Sequence, residues 1–481
     1  MGASVVRELT KLLSPGQVAS DPAAKKVYES DGFTIARGEA ACIVFPESTA
    51  QVVATVRKLG DLGVQLVPRG SGTGLAGGCV AFDGGVVIST ARLGKIHAID
   101  LDNRVAHVEA GVRNTQLSDA VAAEPGGERF HFAPDPSSQR ASTIGGNAAT
   151  NAGGVHTLKD FVSSNHILGI ELVTPDGEVL RVGAHDGRYV APGPDLAGLV
   201  CGSEGTLGII TSLWVRLVPK ATHYRTVVAT FPSQRAACDT VSDIIADGFL
   251  PAALEMMDGR MVQLVNETFN LGIDAEARAL LLIEIDGIAD LLDAEVDDLR
   301  HIAAKHGALT IDASGDPARR QQLWKARKAA FGAIGKISPS YCTQDACVPR
   351  SRLAEVLAEI DRIGQRFGLS INNVFHAGDG NIHPIFLYDD QNPTQIRHTL
   401  EAAEEILKFC IDLGGTLTGE HGVGVEKLHL MPYMFDGETL AQFDAVKAAF
   451  DPNERMNAGK LLPSDTGKID LLEGAGRKVP Q

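Results

Sequence analysis

The stretch "HAGDGNIHP", residues 376–384, sets His376 and His383 on either side of a Gly-Asp-Gly turn. The apolar segments on its flanks, "NNVF" and "PIFLYD", read as strands, so the two imidazoles stand at matching ends of a hairpin and can converge on one point. Neutral imidazoles are ligands for divalent metals, and a catalytic site usually adds carboxylate oxygen while keeping a coordination position open. The candidate source is "TGEHGVGVEK", residues 418–427, where Glu420 and His421 lie between glycines that permit close backbone approach. Taken singly, either histidine would be a surface residue on a tight turn and Glu420 the partner of a nearby cation. The joint occurrence of H-x6-H and a glycine-flanked Glu-His in one chain favours a metal site.

A second chemistry is written in glycine. "VPRGSGTGLAGG", residues 67–78, follows the strand-like "VQLVP" and leads to another strand, "GGVVIST". Its glycines admit positive φ, and successive N–H groups can form a nest for phosphate oxygens, with Ser71 and Thr73 adding hydroxyls. The loop opens no helix and ends in no Gly-Lys-Ser/Thr, so neither the Rossmann nor the Walker pattern applies. A glycine-rich hairpin without a ligand is the plainer alternative. Against it, "PDPSSQRASTIGGNAATNAGG" (134–154) and "CGSEGTLGIIT" (201–211) are almost free of large side chains, which bury too little apolar area to be core elements and suit a large flat ligand.

These segments need elements to hold them. "ACIVF" (41–45), a helix opened by Ser48-x-x-Gln51, "VQLVP" (64–68) and "GGVVIST" (84–90) predict a β-α-β unit. Beyond residue 217, "RTVVATF", a helix through "AACDTVSDIIADG", "ALLLIEIDG", a helix over 288–305 and "ALTIDAS" alternate as in a ferredoxin-like α+β layer. Further helices are predicted at 317–335, 350–367, 393–413 and 437–449. The fold class is therefore α+β.

At 481 residues, two or three domains are expected. The net charge of −16 and the lack of a basic cluster argue against nucleic acid as a partner. Seven cysteines without a C-x-x-C pair exclude a disulfide framework and a ferredoxin-like cluster site, and point to a reducing cytoplasm. The N-terminus has no apolar signal-peptide region, and no apolar run is long enough to span a bilayer. A cytoplasmic protein, or one peripheral at the inner membrane, is expected.

The three glycine-rich segments, in this order, resemble the FAD-binding domain of the vanillyl-alcohol-oxidase/PCMH flavoprotein superfamily over residues 38–217. "LWKARKAAFGAIGKISPSYCTQDACVPRSRL" (323–353), "HAGDGNIHP", "TGEHGVGVEK" and "FDAVKAAFDPNERMNAGKLLP" (443–463) resemble the FAD-linked oxidase C-terminal domain of D-lactate, D-2-hydroxyglutarate and glycolate-oxidising enzymes, the run "GKISPSYCTQDACVPR" looking most like the FAD-linked subunit of glycolate oxidase. The resemblance implies an N-terminal segment 1–37, an FAD domain 38–217, a substrate and metal cap domain 218–455 and a tail 456–481 returning to the cofactor. It places the backbone of Arg69, Gly70, Ser71, Gly72, Thr73, Gly74 and Leu75 around the FAD pyrophosphate. Pro134, Asp135, Thr143, Gly146, Ala152 and Gly153 would line the cofactor, with Gly205 and Ile210 closing the pocket and Asn457 reaching the flavin. The loop lacks a histidine for covalent attachment, so noncovalent FAD is implied.

It further implies His376, His383 and Glu420 as ligands of a divalent metal, Zn, Mn or Fe, with His421 as base and Arg327 as the carboxylate-binding arginine. The implied reaction is oxidation of a metal-held D-2-hydroxy acid to the 2-oxo acid with hydride transfer to flavin. Phe331, Thr343 and Ile385 stand where enzymes for D-2-hydroxyglutarate carry polar groups for a second carboxylate, which favours glycolate or D-lactate. No electron-carrying cluster site is visible, so an external acceptor is expected: an iron–sulfur subunit, an electron-transferring flavoprotein, a quinone or a cytochrome. The chain would act as a homodimer or within a hetero-complex. A metal hydrolase and a noncatalytic FAD-binding subunit are the competing readings; the first predicts a colourless protein, and the second has no need of the metal and base residues.

Overall fold

In the computed structural model, which describes residues 2–463 apart from 83, 186 and 188–192, the chain divides into two units. The first comprises Met1–Gly153, Val162–Lys220 and Glu420–Gln481, the second Gly154–Phe161 and Ala221–Gly419. Residues 154–161 thus group with the second unit and 420–455 with the first. The expected C-terminal tail beyond residue 463 lies outside the described residues.

In the first unit, Cys42–Val44, Val86–Ser89 and Leu66–Arg69 lie parallel in that spatial order, with Val18–Ala19 antiparallel at one edge. Cys42–Val44 and Val86–Ser89 are wholly buried, which suits their near-continuous apolar sequence. The helix Thr49–Asp61 between the strands starts where Ser48 Oγ accepts the Gln51 N–H at 3.3 Å. The Gln51 side chain accepts from the Glu47 N–H instead, so half of the predicted capping box forms. A second, antiparallel sheet runs in the order Ile96–Asp100, Val105–Glu109, Ile209–Arg216, Ile167–Val173, Val179–Gly183. Its Val108, Ile170 and Leu213 share an apolar cluster with Leu117 and Ile144 of the helices Asn114–Ala123 and Ile144–Thr150.

In the second unit the four strands His223–Phe231, Ala253–Asp258, Ala279–Gly287 and Thr310–Ser314 are antiparallel in the spatial order fourth, first, third, second. With the helices Gln234–Ala246 and Ala289–Lys305 this is the predicted ferredoxin-like layer. It contains two elements the sequence pattern did not announce, the strand Ala253–Asp258 and the helix Gly259–Phe269. "ALEMMD" carries no β-branched residue and consists mostly of helix formers, so local propensity hides it. Pairing on both sides, with Ala279–Gly287 and with Ser370–His376, makes it a strand. The sheet continues through Ser370–His376 to Asn381–Ile382 and Ala346–Cys347, with Pro384–Tyr388 and Ser340–Thr343 branching from it. Met257, Leu282 and Val374 cluster with Val262 and Leu323 of the helices Gly259–Phe269 and Pro317–Lys328. The helix predicted over 317–335 is interrupted at Ala329.

Candidate active site

On the helix Pro317–Lys328, Arg320, Trp324 and Arg327 recur at helical spacing and so share a face. That face meets two carboxylates. Glu284 accepts from Arg320 Nε and Nη2, each at 2.7 Å, and from Trp324 Nε1 at 2.5 Å. Burial alone would push the Glu284 carboxyl up; His156, Arg320 and Trp324 hold it down to about 2. On the neighbouring strand Glu255 forms an ion pair with Arg327 Nη2, both side chains being almost completely buried. The register sets Ala253 opposite Glu284 and Glu255 opposite His376, so both carboxylates lie on one side of the sheet.

Glu255 Oε1 also accepts from His376 Nδ1 at 2.6 Å. Burial raises the Glu255 carboxyl, and Arg327 followed by His376 outweighs it, leaving the group below its usual range. The rings of His376 and His383 lie 5.1 Å apart and nearly perpendicular, the hairpin convergence that the spacing suggested. His383 Nε2 is 3.7 Å from Asp345 Oδ1. The other oxygen of Asp345 accepts from Thr418 Oγ1 at 2.6 Å and from the Gly419 N–H at 2.9 Å. Asp345 therefore fixes the backbone of the residue to which Glu420 is bonded. His376, His383 and Glu420 each offer one ligand atom, and these atoms all lie within 4.8 Å of one another. Two imidazoles and a carboxylate so placed fit a divalent cation. His421 follows, half-buried, on an irregular segment.

In the first unit the loop after Leu66–Arg69 passes close to the N-terminus of the helix Ile144–Thr150. A Cβ at Gly70 would lie 2.6 Å from Thr143 Oγ1, and Thr143 itself caps that helix by accepting the Gly146 N–H at 3.2 Å. Gly72 has φ +74° and no space for a side chain beside the Arg69 guanidinium. Ser71 Oγ donates to Ala141 O, the Gly32 N–H donates to Gly74 O at 2.7 Å, and Thr73 and Leu75 lie on the same half-buried loop. Pro134 O accepts from Asn114 Nδ2 at 2.7 Å, with Asp135 following it, and Ala152 O accepts from Ser163 Oγ at 2.7 Å, just ahead of Gly153. Gly205, at φ +72°, packs on Pro68, whereas Ile210 is buried in the cluster of Ile144 and Ala148. A bare backbone loop facing a helix N-terminus fits a dinucleotide pyrophosphate.

Asn457 Nδ2 donates to Gly78 O at 2.9 Å and to Glu204 O at 2.7 Å, and its Oδ1 accepts from Lys460. Lys460 Nζ also donates to Gly78 O and Val80 O. Burial pushes this ammonium down to about 8. The tail thus clasps the far end of the glycine loop.

Glu255, Asp345, Glu204 and Lys460 escaped the sequence reading. A faint signal existed for the first, a lone acid inside the otherwise apolar "PAALEMM". Phe331 and Ile385 pack in the apolar cluster with Trp324 and Val374, and Thr343 is paired opposite Ile385. Among the described residues the cysteines form no disulfide, and burial drives Cys79 to about 12. Among the described residues no helix is long and apolar enough to cross a membrane.

Comparison with known proteins matches residues 40–183 to the FAD binding domain family and residues 220–461 to the family of FAD linked oxidases, C-terminal domain. The glycolate oxidase subunit GlcD of Escherichia coli strain K12 is 41% identical over 437 residues, covering 91% of this chain and 86% of its own length. The D-lactate dehydrogenase of Archaeoglobus fulgidus is 32% identical over 423 residues, 87% of this chain and 91% of its own. The structure of p-cresol methylhydroxylase with substrate bound aligns with a TM-score of 0.80 at 15% identity, covering 97% of this chain and 98% of that one, and bears out the expected PCMH-type fold.

Proposed function

Because the chain belongs to the FAD-linked oxidases, we propose that it oxidises a small D-2-hydroxy acid, glycolate or D-lactate, to the corresponding 2-oxo acid. The names of the bacterial and archaeal relatives support these two substrates. The grouping of His376, His383 and Glu420 carries the mechanistic part of the reading.

When bound, FAD supplies a two-electron acceptor for hydride, and a divalent cation supplies positive charge that makes the substrate hydroxyl more acidic. FAD would be held noncovalently by the Arg69–Leu75 loop, and the cation by His376, His383 and Glu420. Arg327 takes the substrate carboxylate: its buried Nε has no hydrogen-bond partner among the described residues, and a planar guanidinium matches a carboxylate in shape and charge. His421 accepts the hydroxyl proton, a task for which a neutral imidazole is suited near pH 7. Each turnover removes that proton and the hydride from the carbinol carbon, leaving the C=O of the product.

Phe331 and Ile385 in their apolar cluster and the uncharged Thr343 offer no charge to a second carboxylate, whose burial would be costly. This supports a monocarboxylate over D-2-hydroxyglutarate. The two electrons would leave through an external acceptor, and the name of the bacterial relative as a subunit supports a partner chain.

Anaerobic mixing of the purified yellow protein with D- and L-2-hydroxy acids, glycolate included, tests the proposal. Glycolate or D-lactate should bleach the flavin, and a chelator should prevent it. Bleaching by none of these acids would refute the substrate class.

A further inference from the structure

We infer that Glu255 is the positioning residue that couples the carboxylate-binding arginine to the metal-binding histidine, so that one side chain sets the spacing between the two ends of the substrate site. The inference rests on the roles proposed above for Arg327 and His376. Glu255 divides its two oxygens between the partners, Oε1 taking His376 Nδ1 at 2.6 Å and Oε2 pairing with Arg327. All three residues are at most 5% exposed, and both contacts are direct. The carboxylate stands among apolar neighbours, Ala253 and Met257 on its own strand and Leu280 and Leu282 on the next, where an unpartnered charge would not be tolerated.

Two consequences follow from elementary chemistry. A histidine that donates from Nδ1 presents its lone pair at Nε2, so Glu255 selects the tautomer of His376 and raises its basicity as a ligand. The same carboxylate orients the Arg327 fork, whose helix is anchored one strand away by Glu284 through Arg320 and Trp324. Glu255 acts through His376 and Arg327, the residues that would hold metal and substrate.

The test uses the FAD-bound full chain, stripped with chelator and titrated calorimetrically with Zn2+, alongside Glu255→Gln and Glu255→Asp. Glu255→Gln should retain FAD and bind Zn2+ about 10–100-fold more weakly. At saturating Co2+ the visible absorption of the bound ion should shift in this variant, which a loss of general stability would not produce. Glu255→Asp keeps the charge but is one methylene too short to span both partners, and should weaken Zn2+ about tenfold or less; it carries the test should Glu255→Gln fail to accumulate with FAD. Wild-type Zn2+ affinity and an unshifted Co2+ spectrum in the folded variant overturn the role of Glu255. A wild-type protein that binds neither ion overturns the underlying metal site as well.

Discussion

Glu204, at φ +51°, closes its carboxylate on the backbone of the segment that follows His421, Oε1 accepting the Val423 N–H at 2.7 Å and Oε2 the Gly424 N–H at 2.8 Å. Burial pushes this carboxyl up, opposed by those two N–H groups and by Lys427 and Lys460. Glu204→Gln keeps one acceptor and turns an amide N–H toward a backbone donor. The variant should lose about 1–3 kcal/mol of stability, read as a lower melting temperature and weaker FAD retention on gel filtration.

Gly424 is the other half of that contact. At φ +52° a Cβ there would lie 2.0 Å from Ala76 O, a backbone atom of the glycine loop that cannot turn aside. Gly424→Ala should cost about 1–3 kcal/mol from strain and release FAD, measured as the flavin-to-protein absorbance ratio after dialysis.

His421→Ala should leave FAD and metal content unchanged while slowing substrate reduction of the flavin by about 10²–10⁴-fold, the usual contribution of a general base. Stopped-flow bleaching at saturating glycolate and D-lactate reads this directly. Undiminished bleaching would remove His421 from the mechanism.

Arg327→Met removes one of the two partners of Glu255 in the apolar layer. Removing one partner of a buried pair costs about 3–5 kcal/mol, so denaturant unfolding should show a loss of that order. Arg327→Lys, which keeps the charge without the planar fork, should be milder in stability and should raise KM for the hydroxy acid.

Asp258 offers a pH signature. It caps the helix Gly259–Phe269 through the Met261 N–H and accepts from the Asn373 backbone N–H and Nδ2, yet burial lifts its carboxyl to about 6. A carboxyl that binds its proton more tightly when folded adds stability at low pH and loses it as pH rises through the folded value. Stability relative to Asp258→Asn should therefore fall by about 2–3 kcal/mol between pH 4 and pH 6 and stay level above. Urea unfolding across that range checks the slope.

Much of the candidate site is written locally. The glycine loop, the H-x6-H hairpin and the Gly-flanked Glu-His are short-range patterns, because positive φ and a tight turn constrain the residues that adopt them. The predicted β-α-β unit and the ferredoxin-like alternation appear for a similar reason, since their strands and helices carry clear periodicity. Glu255 is different. It lies 121 residues from His376 on a strand built from helix-favouring residues, and only the pairing with Ser370–His376 and the packing of the helix Pro317–Lys328 bring it to the histidine and the arginine. Asp345, which reaches Gly419 across 74 residues, and Glu204, which reaches Gly424 across 220, belong to the same class. Local residue types determined which reactive and ligand-holding groups this chain carries. The partners that orient it were decided by tertiary pairing, because a buried carboxylate is tolerated only where the completed fold delivers its donors, and no local pattern records where that will be.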